Sequence, residues 1–579
     1  MSHALIRRRT ILAETQLGDE VHPLLRRLLA QRGIVHPEEI AHELTHLADP
    51  MQMRDMGKAV ERLWQALNSQ QRIVIVGDFD ADGATSSALA ILGLSAFGFQ
   101  QVSFMVPNRF EYGYGLSVQI VDELALQKPD LLITVDNGIS SIDGVARANQ
   151  LGMEVIITDH HLPGQQLPAA VAIINPNQPG CAFPGKSLAG VGVVFYLLIA
   201  LRSRLRAEGW FVRENIVEPN LANWLDLVAL GSVADVVPLD FYNRILVAQG
   251  IRRMRNGAMR PGIRALLQVA GRNYRQLASV DLGFVLGPRL NAAGRLDDMS
   301  QGIMLLLTES DALAQELAQE LDALNRDRRL IEQQMQQEAL QIVDELTADM
   351  QAIPRGFCLF HPDWHQGVVG LVASRLKEKF HRPVIAFAQA ETGDEIKGSG
   401  RSIQGVHLRD LLDEVATANP GLLSKFGGHA MAAGLSLKQA DLPQFHQAFL
   451  QALAAIGDQS LFEPVIESDG EVSPQDMNLY TAQLLRDAMP WGQGLPEPRF
   501  DGEFYLLEQR LVGERHLKMK LGFTPDRNRA IDAIFFNCDL QCWPNPSVQK
   551  VQLVYQLSIN DYRGDQTLQL IASDMRPLD

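Results

Sequence analysis

Cysteine is scarce in this sequence: four in 579 residues, at Cys181, Cys358, Cys538 and Cys542. That is too few and too scattered for a disulfide framework. Cys538 and Cys542 are spaced to touch on a helix, but a zinc site needs two more ligands and none stands nearby. Long hydrophobic runs are missing as well, since none reaches the ~18 apolar residues that cross a bilayer. The N-terminus, MSHALIRRRT, has basic residues with no apolar stretch behind them, which argues against a secretory signal. Positive charge is in deficit, with a net charge of −16 and a pI of about 5.4. This excludes a histone-like coat for nucleic acid. It does not exclude an enzyme that works on nucleic acid, because the charge of a groove matters there and not that of the whole chain. A reduced, cytoplasmic setting without a membrane fits these absences.

What is present is ordinary globular composition, 46% hydrophobic and 21% charged. The length suits about three to five domains. Residues 1–70 read mainly as helix, with stripes at Leu24, Leu25, Leu28 and Leu29 and at Val60, Leu63 and Leu67. Residues 72–76, 131–135 and 155–158 are short, continuous apolar runs and read as buried strands, with a helix over 85–97. Strands alternating with helices predict an α/β domain with a parallel sheet. Residues 310–346 keep a helical period for nearly forty positions, which suits a bundle helix or a connector. Strands at 357–360 and 383–388, with a helix at 369–380 between them, predict a second α/β unit up to about residue 457. Short alternating runs at 517–521, 530–536, 551–559 and 567–571 suggest a small β-barrel of the OB type.

The chemistry gathers just past the strands. Val76-Gly-Asp-Phe-Asp-Ala-Asp-Gly-Ala-Thr85 puts Asp78, Asp80 and Asp82 at alternate positions directly after a strand. Three like charges so close repel one another and call for a cation. An EF-hand is rejected, because the loop follows a strand and lacks the closing bidentate Glu. Asp136 follows the next strand, Asp159, His160 and His161 follow the third, and Asp235 interrupts the apolar run Gly231-Ser-Val-Ala-Asp-Val-Val237. A lone aspartate after a strand or a lone histidine is weak evidence. Four such elements in one domain, read as strand-end groups, are jointly strong. Carboxylates with imidazole suit Mn²⁺ or Mg²⁺, several carboxylates suit two ions, and two-metal sites hydrolyse phosphoesters.

This ordered set resembles the DHH phosphoesterase superfamily. Phe426-Gly-Gly-His-Ala-Met-Ala-Ala-Gly434 is similar to the GGH motif of its companion DHHA1 domain. Gly287-Pro-Arg-Leu-Asn-Ala-Ala-Gly-Arg295, Trp364-His-Gln-Gly-Val-Val-Gly370 and Trp491-Gly-Gln-Gly494 extend the likeness, over nearly the whole chain, to the superfamily's bacterial single-strand exonucleases. The resemblance implies an N-terminal helical segment at 1–47, a DHH catalytic domain at 48–309, a long connecting helix at 310–350, a DHHA1 domain at 351–457 and an OB-like domain at 458–579. It implies Asp80, Asp82, Asp136, His160 and Asp235 as ligands of two divalent ions, with Asp136 bridging and Asp78, Asp159 and His161 beside them. Many members carry His four residues before the first ligand Asp. Val76 stands there in this chain, and Asp78 is the expected substitute.

Phosphate needs cations, and Arg109, Arg289, Arg295, Arg375, Arg401 and His429, with Asn291, are the candidates. By resemblance they line a cleft between the two α/β units. Residues 287–295 are too rich in Gly and Ala for a plain helix. Trp364 and His365 are candidates to contact a strand, although a Trp is more often core. In the barrel, Arg510, Arg515, Lys518 and Lys520 supply a basic run, and Phe504, Tyr505 and Phe523 could stack on bases or fill a core. The implied activity is 5′→3′ hydrolysis of single-stranded DNA to 5′-mononucleotides in recombination and repair. Implied partners are single-strand-binding protein and a repair helicase, and a monomer is expected. The alternatives are a DHH phosphodiesterase of short RNA or cyclic dinucleotides, and a non-catalytic replication scaffold.

Overall fold

The computed structural model describes residues 4–107, 115–348, 353–390, 393–526, 529–562 and 564–578. Its chain divides into two compact units. The larger holds residues 7–294, 298–322 and 467–579; the smaller holds the N-terminal residues through Ile6, residues 295–297 and residues 323–466.

The chain opens on strand β1, Leu5–Arg8. In the larger unit, β2 (Ile73–Val76), β3 (Val102–Met105), β4 (Leu131–Val135), β5 (Glu154–Thr158) and β6 (Ala172–Ile174) form one sheet in the order β3-β2-β4-β5-β6. Every pairing is parallel. β2 and β4 are buried along their whole length, as strands covered by helices on both faces must be. The chain passes from β2 to β3 on one side and then returns to β4 on the other. The order therefore reverses between β2 and β4, and ligands bind outside the carboxyl ends of such a pair.

Helices around this sheet depart from the expected ones in two places. The helix after β2 spans Ala81–Ala96 and begins four residues before position 85, because Asp80 caps it. The segment expected to be irregular is a helix, Gly287–Leu296. Its small residues serve close packing. A Cβ on Gly294 would stand 1.7 Å from the Phe79 carbonyl oxygen, and Ala292 and Ala293 are fully buried. Helices Leu225–Ala234 and Phe241–Arg255 pack against each other, with Gly250 against the Leu225 carbonyl. The long helix spans Asp311–Thr347, 37 residues, close to the expected 310–346.

The smaller unit holds β7 (Phe357–Phe360), β8 (Val384–Gln389), β9 (Glu395–Arg401), β10 (Lys425–Gly428) and β11 (Ala432–Lys438) in the order β10-β11-β9-β8-β7. Only β7 and β8 run parallel. Helix Val369–Phe380 lies where periodicity places it. Phe387, Phe445 and Phe449 fill one core of this unit.

After β12 (Val465–Ser468) the chain closes a barrel from β13 (Phe500–Val512), β14 (His516–Gly522), β15 (Ile531–Phe535), β16 (Lys550–Tyr562) and β17 (Asp565–Pro577). The closed order β13-β14-β15-β17-β16 is that of a five-stranded OB barrel. Phe504 is buried against Tyr555 and Phe523, so it is core and not a stacking platform. The Cys538–Cys542 stretch is turn and not helix, with Cys538 buried and Cys542 exposed.

The N-terminal arm is not a free helical segment. Within the larger unit Arg8 pairs with Asp501, Arg9 with Glu467 and Arg32 with Asp469, which ties it to the stretch that leads into the barrel. Among the described residues no helix is long and apolar enough to cross a membrane.

Candidate metal centre

The loop after β2 is shaped by its own aspartates. Asp80 takes extended backbone and accepts hydrogen bonds from the amides of Asp82 at 2.9 Å and Gly83 at 3.0 Å, capping the helix that follows. The Ala81 amide donates to Asn291 Oδ1 at 2.7 Å. Asp82 then points across the domain. Its two carboxylate oxygens accept from the amides of Gly190 at 2.6 Å and Val191 at 2.9 Å, in the first turn of helix Gly190–Ala207. Two helix N-termini thus face the same acidic group and partly offset its charge.

Asp136 follows β4 with φ at +61°, a left-handed conformation uncommon for any residue but glycine. Gly190 makes this possible, because a Cβ there would stand 2.7 Å from that of Asp136. After β5, Asp159 is fully buried and accepts from the amides of His160 and His161, from His161 Nδ1 at 2.8 Å and from the Ile139 amide at 2.8 Å. Asn177 and Asn175 hold the carbonyls of His160 and His161 at 2.6 and 2.9 Å.

Asp235 does not lie at a strand end, as its apolar setting suggested. It caps the C-terminus of helix Leu225–Ala234, whose apolar run is packed on all sides and so mimics a buried strand. Val236 beside it is held at φ +61°, strained for a β-branched residue.

These elements converge. His160 Nε2 stands 3.1 Å from Asp136 Oδ1, 3.5 Å from Asp235 Oδ2 and 4.0 Å from Asp82 Oδ2. Three donor sets each fit within 4.8 Å: Asp78, Asp80 and Asp136; Asp82, His160 and Asp235; Asp136, His160 and His161. The first two share no residue, so the donors present would suffice for two ions. Carboxylates with imidazole are hard and borderline donors, the right chemistry for Mn²⁺ or Mg²⁺. Val76 lies in the apolar core beside Val74 and Leu132, while Asp78 joins Asp80 and Asp136.

Electrostatics agree with a cation site. Burial and then Asp80 push Asp82 up to about 7. Burial and then Asp82 and its neighbours raise Asp136 and Asp235 well above the carboxylate range. Asp159 goes the other way. Burial opposes it, but the hydrogen bond and charge of His161 hold it below the usual value, and His161 is raised in return against its own burial.

The predicted phosphate residues separate into several kinds. Arg109 lies outside the described residues. Arg289 is buried and bound to Asp322 at 2.9 Å and to the Val285 carbonyl, so it is committed to the fold. Asn291 positions the β2 loop. Trp364 is buried in a core cluster, with its Nε1 donating to Glu338 at 2.8 Å, so its ring is not offered to a strand. His365 is half-buried, and its Nδ1 accepts from the Gly367 amide. Arg295 donates to the Gly367 carbonyl. Arg375 is half-exposed and paired with Glu332. Arg401 ends β9, donating to Ser399 Oγ and the Gly400 carbonyl, and a Cβ on Gly370 would stand 2.9 Å from its Nη2. The β9–β11 register sets Ala432 opposite Arg401, and His429 is exposed in the hairpin just before it. Missed in the sequence were Ser399, Asn175, Asn177 and the Gly190 turn. The Asn-Pro-Asn triplet directly after β6 was the available signal.

Comparison with known proteins agrees with this geometry. Residues 72–232 match the DHH family, N-terminal domain, residues 352–455 the DHHA1 domain, and residues 468–574 the RecJ OB domain. The single-stranded-DNA-specific exonuclease RecJ of Dickeya dadantii is 55% identical over 574 residues, 99% of each chain. That of Escherichia coli is 54% identical over 576 residues, again 99% of each. Among solved structures, Thermus thermophilus RecJ in complex with Mn²⁺ superposes with a TM-score of 0.78 at 30% identity, covering 97% of this chain and 76% of that one. Its Mg²⁺ complex gives 0.72 at 28% identity, covering 97% and 75%.

Proposed function

We propose, from the premise that this chain belongs to the RecJ family of single-stranded-DNA-specific exonucleases, a division of the work of hydrolysis among its residues. The protein is an exodeoxyribonuclease of the DHH phosphoesterases, acting on single-stranded DNA with Mn²⁺ or Mg²⁺. Asp80, Asp82, Asp136, His160 and Asp235 hold the two ions. Asp136, which two of the donor sets share, would serve both ions, and Asp78 would complete the set in place of the histidine that Val76 displaces. The observation that carries this reading is the reach of one imidazole nitrogen to three carboxylates from three separate elements.

When bound, such ions activate water and stabilise the departing oxygen of a phosphodiester. The remaining steps belong to side chains. Asp159 orients both histidines through their amides and raises the hold of His161 on its proton, so that His161 in its protonated form offers positive charge to the phosphate. Arg401 with Ser399 and His429 grips phosphate in the smaller unit, aided by Arg375, Arg295 and His365, and Arg109 does so from the loop after β3. The barrel at 458–579 adds affinity for the strand through Arg515 and Lys518, the DHH part at 48–309 performs the cut, and the DHHA1 part at 351–457 sets the end. Digestion runs 5′→3′ and releases 5′-mononucleotides. Single-strand-binding protein and a repair helicase are the partners of a cytoplasmic monomer.

Single strands labelled at either end, digested with Mn²⁺, test this. Mononucleotides should leave from the 5′ end, and loss of label from the 3′ end of a 5′-blocked strand would refute the polarity. Mn²⁺ titration of metal-free protein should give two bound ions, and at most one in His160→Ala.

A further inference from the structure

Helices Leu225–Ala234 and Phe241–Arg255 run antiparallel, because Gly250 lies against the carbonyl of Leu225. Arg252 and Arg255 therefore lie beyond the start of the first helix, whereas Asp235 closes its far end. Ten helical residues put roughly 15 Å between the two places. At the Arg252 end is a cavity of ≈ 220 Å³. Among its polar walls are Arg252, Arg255 and Asn256, Ser279, Arg486 and Asp487 from the end of helix Leu479–Ala488, and His42.

The charges do not balance. Asp487 answers both Arg255, at 2.9 Å, and Arg486, at 2.7 Å. Among the described residues no carboxylate answers Arg252. Three guanidinium groups thus face one acid. His42 is a second, independent observation. It is 5% exposed, and its Nε2 is buried without a hydrogen-bond partner. Its carbonyl is held by Gln249 Nε2 at 2.6 Å, so its place is set. Burial, with Arg244 and Arg252 close by, pushes the imidazole down to about 4; it is neutral and carries one N–H for a ligand. Ile251 and Met489 supply an apolar shelf.

We propose that this cavity is a phosphate site separate from the metal centre and that it takes a nucleoside monophosphate. The phosphate lies on Arg252, Arg255 and Arg486, His42 donates its N–H to it, and the base rests on the apolar shelf. Arginine forks suit phosphate oxygens, and a buried neutral donor completes the shell without adding charge. The site does not depend on the catalytic assignments above.

Calorimetric titration of the full-length, metal-free protein with dAMP and with inorganic phosphate tests it. A saturable dAMP site should weaken at least about tenfold in Arg252→Gln and in Arg486→Gln. It should persist in Arg401→Gln, which reports any nucleotide held in the smaller unit. Thermal unfolding of each variant checks the fold, and cleavage of single-stranded DNA by Arg252→Gln should stay at the wild-type rate. Equal affinity for phosphate and dAMP would overturn the nucleoside part. Displacement of this dAMP by a thymidine oligonucleotide would reassign the cavity to the strand. Wild-type dAMP binding in both arginine variants, or none at millimolar concentrations, would overturn the site.

Discussion

The β2–β6 sheet and the β13–β17 barrel are both five-stranded, yet they treat charge in opposite ways. At the sheet's carboxyl ends Asp82, Asp136 and Asp159 are buried, and backbone is held left-handed at Asp136. In the barrel, β14 alternates in the ordinary manner, with Leu517, Met519 and Leu521 inside and Lys518 and Lys520 half-exposed. The first arrangement breaks the rules for burying charge, and cations or helix ends must put it right. On β14 the second keeps them: Lys518 stands half-exposed, Lys520 pairs with Asp532 at 3.2 Å, and the buried carboxylate Asp501 of β13 is answered by Arg8 and Ser468. Chemistry is located by the violation, and grip by its absence.

The comparison breaks most visibly at Asp82. Asp82→Ala should lower turnover at least about 10³-fold, on the order of 4 kcal/mol of lost transition-state stabilisation. If the barrel holds the strand as proposed, the affinity for single-stranded DNA should stay close to wild type. Turnover within about tenfold of wild type at saturating Mn²⁺ would remove the reason for treating the strand ends as the reaction centre.

Asp159→Asn tests a group that orients without reaching the substrate. Outer partners of this kind typically cost ~10–100-fold, and steady-state rates with Mn²⁺ should fall in that range. An unchanged rate would mean that the histidines hold their places without Asp159.

The barrel is tested by Arg515→Ala with Lys518→Ala. Affinity should drop several-fold, and the slope of log K against log salt should flatten by about 0.7 for each lost contact. Turnover at saturating DNA should not change. An unaltered salt slope would favour a barrel that docks proteins.

The smallest effect is a stability difference in metal-free protein. Asp235 titrates above its unfolded value, so the folded state holds the extra proton and stability falls as pH rises from about 4 through the folded value. Asp235→Asn removes that fall. The variant should be level with wild type near pH 4 and the more stable of the two at pH 8, read by denaturant unfolding in chelator. Saturating Mn²⁺ should reverse the order. A variant less stable than wild type at pH 8 without metal would contradict the assignment.

Which parts were legible in the sequence follows the same divide. β2, β4 and β5 are continuous apolar runs because both faces of the sheet are covered, and the sequence shows them plainly. β3 is half-buried and β6 has three residues, too little for a periodic signal. The strand-end aspartates were legible because charge after an apolar run is conspicuous. Asp235 was placed on the wrong kind of element, since a helix buried all round has no polar face to reveal its period. The glycine-rich helix Gly287–Leu296 hid for a related reason. Its composition answers to the Phe79 carbonyl beside it and not to helix propensity. The two backbone amides that hold Asp82 carry no side-chain signal at all.

Those amides also set a timetable. A chain is made from its N-terminus, and Asp82 leaves the ribosome long before Gly190 and Val191, its partners 108 and 109 residues further on. Asn291, which pins the same loop, is 210 residues beyond Ala81. A nascent or prematurely ended chain therefore carries the aspartates without the contacts that aim them. The loop can be aimed as it is in the finished fold only after synthesis has passed Asn291.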